Sequence, residues 1–244
     1  MISRHRFLAL SLALLLGTAA GGSGQIIQQF RPRGSSDPAD WTNLKVGLDK
    51  DVGVSTDGDG VYDWTNSGSL ADFTQSTGAK KPAAGVTSDG TDDELLSTST
   101  MQDLWDGTAL TGVAVASRNT GNTSSDYLFG AGSNDQAALK VQGSGIAFGF
   151  DSATLAVGTM TNDVLYAFAF QYDGTKARFK LRGGSWGEDI KTPAAPSVHV
   201  LELFTGAGAR WGPGTIQDLY ITDDVKSDAD IDAALDFLAT KRSL

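Results

Sequence analysis

Between Leu44 and Ile221 short apolar stretches recur, each cut off within a few residues by a cluster of Gly, Asn, Asp or Ser. That rhythm constrains the fold more than any other feature of the chain. Leu44, Val46 and Leu48 alternate with Lys45, Gly47 and Asp49, the period of two that turns one face of a strand to a core and the other to water. Further strands are predicted at Gly112–Ser117, Tyr127–Phe129, Ala138–Val141, Ile146–Phe150, Leu165–Tyr172, Ala177–Leu181, Val198–Phe204 and Thr215–Ile221. Turn clusters separate them at Thr120-Gly121-Asn122, Gly132-Ser133-Asn134-Asp135 and Gly143-Ser144-Gly145. Asp173-Gly174, between Tyr172 and Ala177, marks a hairpin, because glycine accepts the positive φ of a tight turn. Many short strands punctuated in this way predict a sandwich or barrel, not alternating β and α layers.

One segment reads as helix. Ser227 offers a cap with an acid, Asp230, three residues on. Ile231, Ala234, Leu235 and Leu238 fall at i, i+3, i+4 and i+7 and make one apolar stripe, while Lys241 and Arg242 suit the C-terminal end of the dipole. This helix is predicted to pack on the sandwich edge. The sequence shows no internal repeat and no second domain.

Composition narrows the function classes. The 30 glycines among 244 residues belong to turns, since 40% hydrophobic residues suffice for a core. The absence of cysteine excludes disulfides, thiol nucleophiles and cysteine-ligated metal centres. A net charge of −10 argues against a nucleic-acid partner, which needs a basic surface. Two histidines, His5 and His199, leave little for a histidine metal site or triad.

Residues 1–20 open on Arg4, His5 and Arg6, continue through an apolar run from Phe7 to Leu16 and end on Thr18-Ala19-Ala20. This is the order of a secretory signal, and the run is shorter than the ~20 residues that span a bilayer. Two readings stay open: a cleaved signal, or a retained apolar anchor buried inside an assembly such as a virion. Residues 21–40, with Gly21-Gly22-Ser23-Gly24 and Arg31-Pro32-Arg33-Gly34, read as a Gly/Pro-rich tether, which places the globular domain at 41–244.

Several stretches, in the same order as in one family, carry a resemblance to it. Val46-Gly47-Leu48-Asp49 and Asp57-Gly58-Asp59-Gly60-Val61-Tyr62-Asp63-Trp64 open the series, followed by Lys81-Pro82 and Val86-Thr87-Ser88-Asp89-Gly90. Tyr172-Asp173-Gly174-Thr175 with Ala177 to Gly184 follows, and Ile216 to Asp230 closes it. Together they resemble the laminin-G-like domains of the concanavalin A-like lectin/glucanase superfamily over about residues 41–241. Ser88, where an aromatic is usual, and Arg182-Gly183, where the hairpin usually carries Asn, depart from that pattern. The resemblance implies an all-β, two-sheet antiparallel jelly-roll sandwich with a short C-terminal helix, and gives Trp64 a structural place. It also implies a range of roles, from carbohydrate-binding and adhesion modules to glycanases and phage or bacterial surface proteins.

Glycoside hydrolysis needs two carboxylates about 5–10 Å apart. Catalytic members of the resembled superfamily carry them as Glu-x-Asp-x-x-Glu on one strand, a run this sequence lacks. Of Glu94, Glu188 and Glu202, only Glu202 falls within a predicted strand, as an outward residue between Leu201 and Leu203. His199 reads as a strand residue. No catalytic residue is therefore assigned. Oxygen-rich loops suit calcium, and Asp57 with Asp59, or Asp89 with Asp92 and Asp93, are the places for it; Asp49 with Asp51 is a third acidic cluster. Aspartates in turns also bond their own backbone, so no metal ligand is assigned. Sugars stack on aromatic faces, and Trp186 and Trp211, both in glycine-rich loops, are the predicted carbohydrate contacts, with loop packing as the alternative. Trp64 and Trp105 read as core or sheet-edge residues.

The sequence thus predicts a non-enzymatic, surface-displayed structural or adhesion module. The setting is a phage virion decoration or fibre protein that binds host-surface carbohydrate, joins its assembly through the N-terminal segment and forms a homo-oligomer. A secreted bacterial lectin-like protein is the alternative, and a glycanase with an unusual carboxylate pair a further one.

Overall fold

In a computed structural model of the protein the alternating stretches form sixteen strands among the described residues, which are 36–75, 82–83, 85–119, 126–131, 137–142, 145–150, 153–156, 160–190, 195–205 and 211–244. The N-terminal segment 1–20, the tether up to residue 35 and three of the turn clusters lie wholly or largely outside them. The chain runs through β1 (Leu44–Asp49), β2 (Val54–Asp57), β3 (Gly60–Trp64), β4 (Phe73–Gln75), β5 (Thr87–Ser88) and β6 (Leu95–Thr100) to a one-turn helix, α1 (Met101–Leu104). Then come β7 (Leu110–Arg118), β8 (Asp126–Ala131), β9 (Ala138–Gln142), β10 (Gly145–Phe150) and β11 (Ala153–Ala156). The last third holds β12 (Tyr166–Tyr172), β13 (Lys176–Leu181), β14 (Gly187–Ile190), β15 (Val200–Leu203), β16 (Gly214–Thr222) and α2 (Asp228–Arg242).

Seven strands form one sheet in the order β1-β16-β7-β12-β13-β14, with β5 beside β16; nine form the other, β11-β10-β9-β8-β15-β6-β4-β3-β2. Neighbouring strands are antiparallel. The inward residues of both sheets, among them Trp64, Phe73, Phe129, Phe148, Phe168, Phe170, Leu203 and Leu219, meet in one core. The protein is an all-β, two-sheet antiparallel sandwich with a C-terminal helix. Phe170 lies opposite Gly112 across β12 and β7, and its ring fills the space that a side chain there would need. The Asp173-Gly174 turn forms as expected: Gly174 sits at φ +93°, and Asp173 Oδ1 accepts the N–H groups of Thr175 and Lys176 at 2.9 and 2.8 Å.

The globular unit starts before Trp41, inside the stretch expected to be tether. Pro38–Asp40 forms a 3-10 turn with Pro38 buried, and Asp37 Oδ1 caps it by accepting the Ala39 N–H at 2.9 Å.

All nine residues of β7 are buried, so both of its faces are covered. One faces the core. The other, with Val113, Val115, Ala167, Ala169 and Tyr220, is closed by the predicted helical stripe Ile231, Ala234, Leu235 and Leu238. Helix α2 therefore lies across the outer face of the seven-stranded sheet over β7 and β12, and not at its edge. The expectation fails because a helix goes where apolar surface is left uncovered, and here that is the middle of the sheet. The Ser227 cap forms, its Oγ accepting the Asp230 N–H at 3.2 Å.

Charge repeats register the helix on the sheet. Arg178, Lys180 and Arg182 stand two residues apart along β13 and its end, a rise of about 6.7 Å. Asp228, Asp232 and Asp236 stand four apart on α2, a rise of about 6 Å. The two spacings match closely enough for Arg178–Asp228 at 2.9 Å, Lys180–Asp232, and Arg182–Asp236 at 2.7 Å to pair in sequence. At the other end Arg242 reaches Asp49, Asp51 and the fully buried Asp218, and Lys241 joins Asp49 and Asp218 at 2.7 and 2.8 Å.

A bulge in β16 makes that clamp possible. Ile216 faces Ala116 and Asp218 faces Val115, so Gln217 is an extra residue. The insertion reverses the alternation, letting Ile216, Leu219 and Ile221 enter the core while Asp218 turns to the helix.

Candidate functional site

Beside the helix, the outer face of the seven-stranded sheet opens into a cleft of about 340 Å³. Thr87 of β5, Ser117 of β7, Thr215 and Gln217 of β16, and Asn119, Asp163 and Leu165 from the adjoining segments line it. Strand alternation places these side chains: Ser117 follows the core residue Ala116, and Thr215 precedes the core residue Ile216. The Thr87 and Thr215 hydroxyls bond each other at 2.8 Å, and Ser117 Oγ donates to Asn119 Oδ1 at 3.3 Å. Among the described residues no hydrogen bond engages the Asn119 NH₂, the Asp163 carboxylate or the Gln217 side-chain amide; Asp163 is exposed and the other two are half-buried, so all three are open to solvent. Asp163 adopts a left-handed conformation, φ +60°, with its N–H donating to the Arg118 carbonyl at 2.8 Å. The lining offers hydroxyls, amides, one carboxylate and one apolar side chain, and it holds no cationic residue.

The two predicted sugar-binding tryptophans belong to different sheets. Trp186 precedes β14, half-buried against the helix side of the seven-stranded sheet. Arg178 Cζ and Lys180 Nζ lie 4.4 and 4.8 Å from its ring centre, so cations bound to α2 also rest on this ring. Trp211 bridges to Tyr127 of the nine-stranded sheet, half-buried, with no partner for its indole N–H among the described residues. Trp64 and Trp105 are core residues: the Trp64 indole donates to the Asp49 carbonyl at 3.1 Å, and Trp105 meets Tyr172 edge-on at 5.7 Å.

Of the acidic clusters, Asp89, Asp92 and Asp93 have carboxylate oxygens within 4.8 Å of one another, where a hard cation such as calcium would find oxygen ligands. Two of these carboxylates also serve their own turn, Asp93 accepting the Asp89 N–H and Asp89 the Thr91 N–H, each at 2.8 Å. Asp57 accepts the Asp59 N–H at 2.9 Å in the β2–β3 hairpin. Asp49 and Asp51 are engaged by Lys241 and Arg242; burial pushes the Asp49 carboxyl up, but its hydrogen bonds to Lys241 and to the Asp51 backbone hold it below the usual range.

Glu202 points outward from β15, opposite Gly130 and Leu96. Its carboxyl is pushed up to about 7, first by burial and then by the Glu94 carboxylate, which shares that face because Leu95 turns to the core. Glu188 pairs with Lys176 at 2.9 Å. His199 lies exposed just before β15.

The cleft residues escaped the sequence reading. One signal was present: Ile216 and Leu219 are three apart inside a strand whose period is two, which marks an inserted residue and a redirected side chain at Gln217.

No protein-family model and no curated protein matches this chain. Solved structures do. Trypanosoma rangeli sialidase superposes with a TM-score of 0.60 at 13% identity, over 82% of this chain and 33% of the sialidase. The binding domain of Paraclostridial Mosquitocidal Protein 1 gives 0.56 at 8% identity, over 83% of this chain and 53% of that one. The binding domain of Botulinum neurotoxin DC, in complex with rat synaptotagmin II, gives 0.55 at 10% identity, over 80% and 52%. The chain thus spans a third to a half of the structures it resembles, and at these identities the likeness is one of fold.

Proposed function

We propose that this sandwich is a non-enzymatic binding module of the concanavalin A-like kind, displayed on a surface, with carbohydrate as its ligand. The observation that carries this is the open cleft lined by hydroxyls and amides with unpartnered polar ends, the set that recognises groups which both donate and accept. The fold's likeness to two toxin binding domains supports it. The setting proposed is a phage virion decoration or fibre protein, attached to other subunits through residues 1–20 and displayed as a homo-oligomer, so that copy number multiplies weak single sites. Trp211 is a second candidate contact, while Trp186 shares its ring with two cations.

Full-length protein on a glycan array, and its co-sedimentation with purified phage particles, test this. Glycan binding together with co-sedimentation is expected. An array without signal overturns the carbohydrate ligand, and absence from particles overturns the virion setting in favour of a secreted lectin-like protein. A glycanase is the second reading, favoured by one observation: a carboxyl titrating at about 7 beside a second carboxylate is what a general acid requires. Reducing-sugar release that Glu202→Gln abolishes would establish it in place of the first.

A further inference from the structure

We infer that the cleft between β5, β16 and the end of β7 is a subsite for a single neutral sugar residue bearing vicinal hydroxyls, with Asn119, Asp163 and Gln217 as its specificity-determining side chains; this rests on the binding-module reading above. Two irregularities of the backbone and one strand end meet there. Gln217 is the extra residue of the β16 bulge, Asp163 sits at φ +60°, and Asn119 is the first residue past β7. Bulges and left-handed non-glycine residues are features that folds keep where a side chain has to be aimed.

Each of the three is also pinned through its main chain. The Gln217 carbonyl accepts the Lys50 N–H at 2.9 Å, the Asp163 N–H donates to Arg118 O at 2.8 Å, and the Asn119 N–H donates to Pro213 O at 3.1 Å. The backbone that carries these side chains is therefore fixed, Asn119 Oδ1 accepts from Ser117 Oγ at 3.3 Å, and the hydroxyls of Thr87 and Thr215 bond each other at 2.8 Å beside them.

The chemistry selects the ligand class. A carboxylate accepts from two adjacent hydroxyls, while the amides of Asn119 and Gln217 donate to one ligand oxygen and accept from the next. Leu165 supplies a surface for the C–H face of a ring. With Asp163 as the one charged lining residue, an acidic sugar would bring a second negative charge with no lining cation to meet it. The volume is at the low end for ligand sites, of the order of 300–1,000 Å³, and suits one sugar unit.

The test is an amide-resolved NMR titration of the full chain with D-galactose, D-mannose, N-acetyl-D-glucosamine and N-acetylneuraminic acid. At least one neutral sugar is expected to shift the amide signals of Asn119, Asp163, Thr215 and Gln217, with the acidic sugar leaving them in place. Gln217→Ala and Asp163→Asn, the second retaining a residue that tolerates positive φ, should each weaken that binding about tenfold. Both should melt within about 2 °C of the parent, since neither position is in the core. Neutral-sugar binding that survives both substitutions and is lost in Trp211→Ala overturns the subsite and leaves the binding-module reading standing. Array-positive protein that gives no shift with any of the four sugars does the same. Silence on both array and titration overturns the two together, and shifts at these residues from N-acetylneuraminic acid overturn the neutral specificity.

Discussion

Glu202 shows how much of a residue's chemistry is set by its surroundings. In an unfolded chain its carboxyl titrates near 4.5, and in the fold at about 7. The folded state therefore binds the extra proton between those values, and this group's contribution to stability falls as the pH rises from about 4.5 through about 7. Above that window an ionised carboxylate is held partly buried beside Glu94, at a cost of about 1–3 kcal/mol once partial exposure is allowed for. Glu202→Gln should stabilise the protein by that amount at pH 8 and by almost nothing at pH 4. Urea denaturation at the two pH values checks this, and an equal gain at both would assign the effect to packing. Sequence identified Glu202 as an outward strand residue, which it is, but alternation does not reveal that Glu94 shares its face. The tryptophans divide in the same way. Glycine-rich context put Trp186 and Trp211 in loops; what rests on the Trp186 ring is decided by Arg178 and Lys180 on the neighbouring strand, whose direction only the strand pairing fixes.

At the scale of elements, α2 was legible in its cap, its stripe and its closing cations, and illegible in its place. A clue to that place lay in another element. Gly112–Ser117 is nearly apolar on both faces, and a strand of that kind needs a layer on each side. The strands β2 to β6 were missed as strands for a different reason. They are only two to six residues long, too short for an alternating pattern to stand out, and backbone pairing defines them. The two ends of α2 are held by different physics, which can be separated. The ladder Arg178–Asp228, Lys180–Asp232 and Arg182–Asp236 places exposed carboxylates in water, where each pair is worth about 0.2–1 kcal/mol and salt screens it. Arg242 instead neutralises Asp218, which has no exposed surface, and its loss leaves Lys241 alone beside that buried carboxylate. Asp228→Asn, Asp232→Asn and Asp236→Asn combined should cost about 1–2 kcal/mol at low salt and nearly nothing in 1 M NaCl. Arg242→Met should cost about 3 kcal/mol in both. Urea, being uncharged, is the denaturant for this comparison, and equal salt sensitivity of the two variants would refute the distinction.

For the whole molecule, the alternating pattern was enough to give a sandwich or barrel, because burial on one face is what makes a strand alternate, while the division into two sheets came from the family resemblance. The cleft was not legible, since its residues come from four separate segments and no local pattern ties Thr87 to Asp163. The same long-range closure bears on how independent the sandwich is of residues 1–34. Among the described residues, the contacts that seal its start lie from Asp37 onward. Asp37 caps the first turn, Thr222 Oγ1 donates to the Thr42 carbonyl at 3.1 Å, Lys226 Nζ stands 5.7 Å from the Trp41 ring centre, and the buried core begins at Val46. With no cysteine in the chain, stability comes from that core and the clamp around α2. Removing residues 1–34 should therefore leave the melting midpoint within about 2 °C and the sugar titration unchanged, because the described contacts that close the sandwich and line the cleft begin at Asp37. The same truncation should abolish co-sedimentation with phage particles, since residues 1–20 are the proposed attachment. A drop of more than about 5 °C would show that the leader stabilises the sandwich. Undiminished co-sedimentation would move the attachment onto the sandwich itself, where the exposed edge strand β14 is the first surface to probe.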